Sequence, residues 1–214
     1  MTPEELIERY EAGERDFKNV NLRGASLIGV NLRGANLSYS DLCEADLSNG
    51  ILNEAILNQT RLAGANLRQA DLGRAFLYVV DLTEANLSQA YLYSAELSEA
   101  NLSKANLTEA NLSWAQLWEA SLARANLRGA NLNKANMESA ILYQANLNQA
   151  NLTEANLHLA DLSEANLIGA NLTNARLKRA TLSKANLTGT SLEGADLEKA
   201  VLEGTIMPDG TMHE

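Results

Sequence analysis

Residues 100–112 read Ala100-Asn101-Leu102-Ser103-Lys104-Ala105-Asn106-Leu107-Thr108-Glu109-Ala110-Asn111-Leu112, a five-residue phrase repeated in register. The phrase runs outward in both directions without an insertion. Between Leu22 and Leu202 every fifth residue is Leu, except Met137. Two residues before each of these 37 stands a small or β-branched residue, Ala in 30 cases. The residue directly before is Asn in 17 and Asp in six.

This period excludes both simple secondary structures. Five residues of α-helix turn about 500°, so each Leu would drift about 140° from the last and no apolar stripe would form. In a flat strand an odd spacing sends successive Leu to opposite faces. A chain that turns a corner once per repeat keeps every Leu inward. The second inward position then shares the interior with Leu and must be small. Nine of the 13 Gly occupy the second residue after Leu, among them Gly24, Gly64 and Gly129, which places the corner there. Asn and Asp before Leu can bond nearby backbone and stack in ladders between coils.

The phrase resembles the pentapeptide repeat family, with clean copies at Ala105-Asn106-Leu107, Ala125-Asn126-Leu127, Ala150-Asn151-Leu152 and Ala160-Asp161-Leu162. The resemblance implies an all-β fold, a right-handed quadrilateral β-helix with four repeats per coil. Spacing alone does not choose four over three. Nine to ten such coils at strand spacing make a rod roughly 45 Å long. The expected organisation is a capping helix over 1–14, the β-helix over 15–207 and a tail over 208–214.

The opening reads as a helix, with Thr2 as N-cap, Pro3 at the first helical position and Glu5 completing a capping box. Leu6, Ile7 and Tyr10 form its apolar stripe, Gly13 stops it, and it should lid the first coil near Phe17. It is too short and too charged for a signal peptide or a membrane span. At the far end Met207-Pro208-Asp209-Gly210 reads as a turn. Both ends resemble those of cyanobacterial family members, including a regulator of heterocyst differentiation.

The formal net charge is −10, placed at the ends: −4 over residues 1–16, −5 over 191–214 and −1 between. Like-charged ends discourage end-to-end stacking into fibres. The single cysteine, Cys43, excludes an internal disulfide and reads as a surface thiol in a reducing cytoplasm. The two histidines, His158 and His213, are far apart, and no His, Cys or carboxylate cluster has metal-ligand spacing. No phosphate loop or dinucleotide fingerprint occurs. The reading is therefore non-enzymatic, with no catalytic residues, cofactor or metal. The one basic group, Arg176, Lys178, Arg179 and Lys199, lies beside Asp196 and Glu198, which argues against nucleic acid.

In so regular a frame the outward departures carry the information. Taking positions at intervals of 20, seven of the eight outward aromatics fall on two adjacent sides: Tyr39, Phe76, Tyr78, Tyr91, Tyr93, Trp114 and Trp118. Only Tyr143 lies elsewhere. Ile51, Ile56, Val79 and Leu159 extend the apolar area, whereas Asp46, Asn66, Asn86 and Asn106 begin an unbroken polar column on another side. Tyr and Trp are favoured contact anchors, so Phe76, Tyr78, Tyr91, Tyr93, Trp114 and Trp118 are the candidate protein-binding residues. The expected function is a non-enzymatic protein-binding scaffold with a regulatory role in a cyanobacterium. Its partner would be another protein, and the chain itself a monomer or weak homo-oligomer. The alternative, by resemblance to other family members, is a DNA mimic that binds DNA gyrase. Those members carry a negative surface, C-terminal dimerisation elements and in some cases inserted loops, from all of which this chain departs.

Overall fold

In the computed structural model, which describes Met1–Glu214, each pentapeptide pairs with the one 20 residues further on. The parallel bridges run from Asp16↔Asn36 to Asn186↔Ile206 at every fifth position. One turn of the coil is therefore four pentapeptides, the number that spacing leaves open. Each pentapeptide offers one bridging residue, the one before Leu, between two turns. Consecutive residues never pair, so the ladders do not lengthen into strands. The expected β architecture exists as stacked single bridges rather than a continuous sheet, and α1 (Pro3–Glu11) is the one regular element.

The backbone accounting explains the sequence phrase. Around the coil, Asp41 N donates to Val20 O at 2.9 Å, Leu22 N to Asp41 O at 2.8 Å and Gly24 N to Cys43 O at 2.9 Å. The small residue closes the turn, Ala25 N donating to Leu22 O at 3.0 Å. The N–H of the residue after Leu has no carbonyl in reach. The side chain before Leu supplies one: Arg23 N donates to Asn21 Oδ1 at 3.1 Å, and all 23 Asn and Asp at this position bond the same way. Where it is present, Asn or Asp is thus the fifth backbone partner of its repeat. The expected ladders form too: Asn86 Nδ2 donates to Asn66 Oδ1 at 3.2 Å and Asn146 Nδ2 to Asn126 Oδ1 at 3.1 Å. Asn126 departs from its column, donating instead to Thr108 Oγ1 at 2.9 Å.

The corner lies where the glycines place it, and the requirement is universal. The second residue after each repeat Leu, Met137 or Phe17 has φ between 54° and 68° at all 38 positions from Asn19 to Gly204, yet only nine are Gly. Positive φ at the third residue of a four-residue turn is the type II pattern. Closure of the coil imposes it even on Val79 (φ 55°), Trp114 (φ 62°) and Leu159 (φ 60°), residues that rarely accept it.

Inside, every repeat Leu from Leu22 to Leu187, and Met137, is buried, with Ala between them. Each such Leu is worth about 1.5–3 kcal/mol. Where Ser or Thr replaces Ala, its hydroxyl finds a carbonyl: Thr60 Oγ1 donates to Leu37 O at 2.9 Å and Thr190 Oγ1 to Leu167 O at 2.7 Å. The column loosens at the last coil, where Leu192, Leu197 and Leu202 are only partly buried. At the first coil Leu6 of α1 closes the core over Phe17, with Ile7 and Tyr10 packed beside it.

Thr2 caps α1, its hydroxyl accepting from Glu5 N at 3.2 Å. The expected capping box is half formed, because the Glu5 carboxylate turns to Arg9 at 3.5 Å rather than back to Thr2. At the other end Gly210 N donates to Met207 O at 2.9 Å, and the chain doubles back so that Ile206 bridges Met212 antiparallel. Cys43 corrects the sequence reading: it points outward but is 3% exposed. Burial first, then its hydrogen bond to Asp41, pushes the thiol pKa up, which makes it a poor nucleophile. A small residue just after Leu can be shielded by its neighbours one coil above and below, as Cys43 is, while larger ones in the same slot, such as Tyr78, stay exposed.

Candidate functional site

Three residues of each pentapeptide face outward, the one before Leu and the two after it. The rod thus has four sides, which we label by their first Leu: A (Leu22), B (Leu27), C (Leu32) and D (Leu37). Side C carries Tyr91, Tyr93 and Trp114, and side D carries Phe76, Tyr78 and Trp118, on three successive coils. Coils stack at about 4.8 Å, so Tyr78 and Trp118, two coils apart in one column, stand about 10 Å apart along the rod.

The six aromatics are all exposed, Trp114 most at 55%, then Tyr91 at 52% and Phe76 at 48%. Tyr39, Ile51, Val79 and Leu159 are exposed on the same two sides. The six differ in what they already touch. The Tyr93 ring lies over Gly73, one coil below, where any Cβ would run into it. Tyr93, the least exposed at 36%, is thus partly spent on its own fold. Lys134 Nζ stands 4.6 Å from the centre of the Trp114 ring. Tyr78 OH donates to Glu99 Oε1 at 2.9 Å, and that bond together with the Glu99 charge pushes the Tyr78 pKa up. Phe76, Tyr91 and Trp118 make no polar or cation contact of this kind. Glu99 escaped the sequence reading; its signal was its place one coil and one residue on from Tyr78.

Elsewhere the exposed large apolar side chains, Ile28, Ile141, Val201 and Met212, stand singly and none is aromatic. On side B the Asn column bonds to itself and to the backbone. His158 Nδ1 donates to Lys178 O at 2.7 Å. Lys178 pairs with Glu198 at 2.6 Å, so the basic group is partly neutralised. No three His, Cys, Asp or Glu side chains converge as metal ligands would. One cavity of about 380 Å³ lies between α1 and the first coil, lined by Ile7, Tyr10, Ile28 and Val30 among others, away from the aromatic surface. No helix is long and apolar enough to cross a membrane.

A family model described as pentapeptide repeats, in eight copies, matches residues 16–49, 40–77, 80–109, 110–149, 140–179 and 165–204. Among solved structures the chain is similar to HetL, a pentapeptide repeat protein involved in heterocyst differentiation regulation from the cyanobacterium Nostoc sp. strain PCC 7120. The two share 39% identity over 100% of both chains, with a TM-score of 0.62. It is also similar to Rfr23, a pentapeptide repeat protein of the cyanobacterium Cyanothece 51142, at 45% identity over 44% of this chain and 64% of that one, with a TM-score of 0.41. QnrB1, a plasmid-mediated fluoroquinolone resistance protein, matches at 19% identity over 85% of this chain and 91% of its own, with a TM-score of 0.48. None of the curated proteins compared matches the chain.

Proposed function

The chain belongs to the pentapeptide repeat family, and from that premise we propose that it is a non-enzymatic scaffold that binds another protein through the aromatic surface of sides C and D. The observation that carries this is the asymmetry of the rod. Its regular Leu, Ala and Asn are consumed by the core and the backbone, while six exposed aromatics gather on two sides over three coils. A patch of this kind on a rigid rod marks a contact surface rather than a cleft for chemistry. The reading includes the family's right-handed coil, in nine to ten turns over 15–207. It also includes a regulatory role in a cyanobacterium, supported by the 39% identity with HetL over the full chain. Location in the cytoplasm, no nucleic-acid partner and a monomeric or weakly associating chain complete it.

The test is affinity capture with wild type and with Trp114→Ala/Trp118→Ala. The variant should melt within a degree or two of wild type, since both rings are exposed. It should lose a protein that wild type retains. Unaltered capture and unaltered oligomer mass would sink the proposal. The gyrase-binding alternative is weaker here: the net charge over residues 17–190 is −1, unlike the phosphate-dense surface of DNA. Gyrase supercoiling should be unaffected by the chain.

A further inference from the structure

We propose that the side-D part of this surface recognises an arginine side chain of the partner, stacked on Trp118 in the space toward Tyr78. The inference rests on the protein-binding reading above and adds the chemistry of what is bound. The three coils set nine outward side chains in a grid. The first row is Phe76, Tyr78 and Val79; the second Glu96, Ser98 and Glu99; the third Gln116, Trp118 and Glu119. Ser98 is the small floor between two aromatic rings. The rows stack at about 4.8 Å, so Tyr78 and Trp118 are set about 10 Å apart along the rod, and a planar group about 3.5 Å thick between them stacks on one ring rather than on both.

The flanks of that notch are acidic. Glu96 precedes Ser98 by two residues and Glu99 follows it; Glu119 stands one coil above Glu99. None of the three forms an ion pair within the chain, although ten ion pairs form elsewhere. Glu96 Oε1 accepts from Ser98 N at 3.0 Å and Glu99 Oε1 from Tyr78 OH at 2.9 Å, which fixes both carboxylates beside the notch and leaves each with a free oxygen. The bases nearest in sequence, Lys104 and Arg124, belong to side A, where Lys104 pairs with Glu84 and Arg124 bonds to Gln144; on side C, Lys134 is held by Trp114 and Glu154. Two rings and three uncompensated carboxylates call for a cation that is also flat. Guanidinium meets both demands, stacking on aromatic faces and forking to carboxylates. The protein already uses this chemistry on itself: Arg15 lies 3.7 Å over the Tyr10 ring and Arg9 5.7 Å over Phe17.

The experiment uses the full chain and two dye-labelled peptides, one alternating Gly with three Arg and one with citrulline at those positions, read by anisotropy. The arginine peptide should bind saturably and the citrulline peptide should not. In the Trp114→Phe background the emission of Trp118, then the only Trp, should change with the same curve. Glu99→Gln/Glu119→Gln and Trp118→Leu should each weaken binding about three- to thirtyfold. Glu193→Gln/Glu203→Gln, which removes the same charge from the C-terminal end, should leave it unchanged. Equal loss in both acid pairs, equal binding of citrulline, or no saturable binding would overturn the inference. Should the peptides fail while Trp114→Ala/Trp118→Ala still loses its protein partner, the arginine inference falls and the scaffold reading stands. Should that double variant keep its partner, the scaffold reading itself falls.

Discussion

Truncating Leu102 to Ala measures how much the inner column holds the rod together. Leu102 is fully buried in the middle coils. Its backbone N–H donates to Ser121 O at 2.7 Å and its carbonyl accepts from Ala105 N at 3.0 Å, bonds that Ala retains. The substitution therefore isolates the side chain. Loss of the buried methyl groups, with a cavity that stacked coils cannot collapse to fill, costs about 2.7–5.0 kcal/mol. An unfolding entropy of about 2.1 cal/mol/K per residue over 214 residues is about 0.45 kcal/mol/K, so the melting midpoint should fall by about 6–11 °C. The control is Leu197→Ala, the same change in the last coil, where Leu197 is only partly buried. It should cost less than half as much. The assay is thermal melting followed by circular dichroism, and Leu102→Asp should abolish the soluble central coils altogether. Equal shifts for Leu102→Ala and Leu197→Ala, or a soluble Leu102→Asp with an unchanged midpoint, would refute the argument that one continuous Leu column carries the stability.

The other predictions test the turn, the Asn slot and the acid limb. Gly64 has φ 67°, and a Cβ there would meet the Glu44 side chain only at 3.6 Å, so Gly64→Ala adds backbone strain without a clash. That strain, about 1–2 kcal/mol and partly offset by a stiffer unfolded chain, should lower the midpoint by about 1–2 °C; a rise would count against it. Asn106→Ala removes acceptors for Thr108 N at 3.2 Å and Thr108 Oγ1 at 2.6 Å, and a donor to Asn86 at 3.3 Å. It should cost about 1–2 kcal/mol, Asn106→Asp should cost less because it keeps the acceptor, and the reverse order in urea melts would contradict the role given to Oδ1. The Asp46 carboxylate accepts from the Ser48 hydroxyl and N–H and from Asn66, which holds its pKa below the usual value. Its stabilisation is therefore present above the unfolded pKa of about 3.9 and lost as pH falls through the lower folded value. Asp46→Asn should match wild type at pH 7 and shift acid unfolding to lower pH; an unchanged acid transition would show that the bonds contribute nothing.

Much of this architecture is written in single residues. The inward Leu and Ala, Thr2 as N-cap, and Asn before Leu could each be read from type and spacing, because each follows from one local demand. The gathering of Phe76, Tyr78, Tyr91, Tyr93, Trp114 and Trp118 on two sides was legible for the same reason, once the repeat supplied a ruler. Three things were not. The bridge offset of 20 residues depends on how many corners close a coil, which no single repeat encodes. Positive φ at Val79 and Leu159 is imposed by that closure against residue preference. Burial of Cys43, the packing of Tyr93 on Gly73 and the bond from Tyr78 to Glu99 arise between residues about 20 apart, where pointing outward and being free are different matters.

The claim that function sits on sides C and D is tested most directly by the two tryptophans themselves. The chain has only Trp114 and Trp118, so labelling with 5-fluorotryptophan gives two ¹⁹F resonances, assigned by Trp114→Phe. On addition of the protein retained in affinity capture, both resonances should shift or broaden in step with complex formation. A complex that forms at full stoichiometry while both resonances stay unmoved would contradict the account.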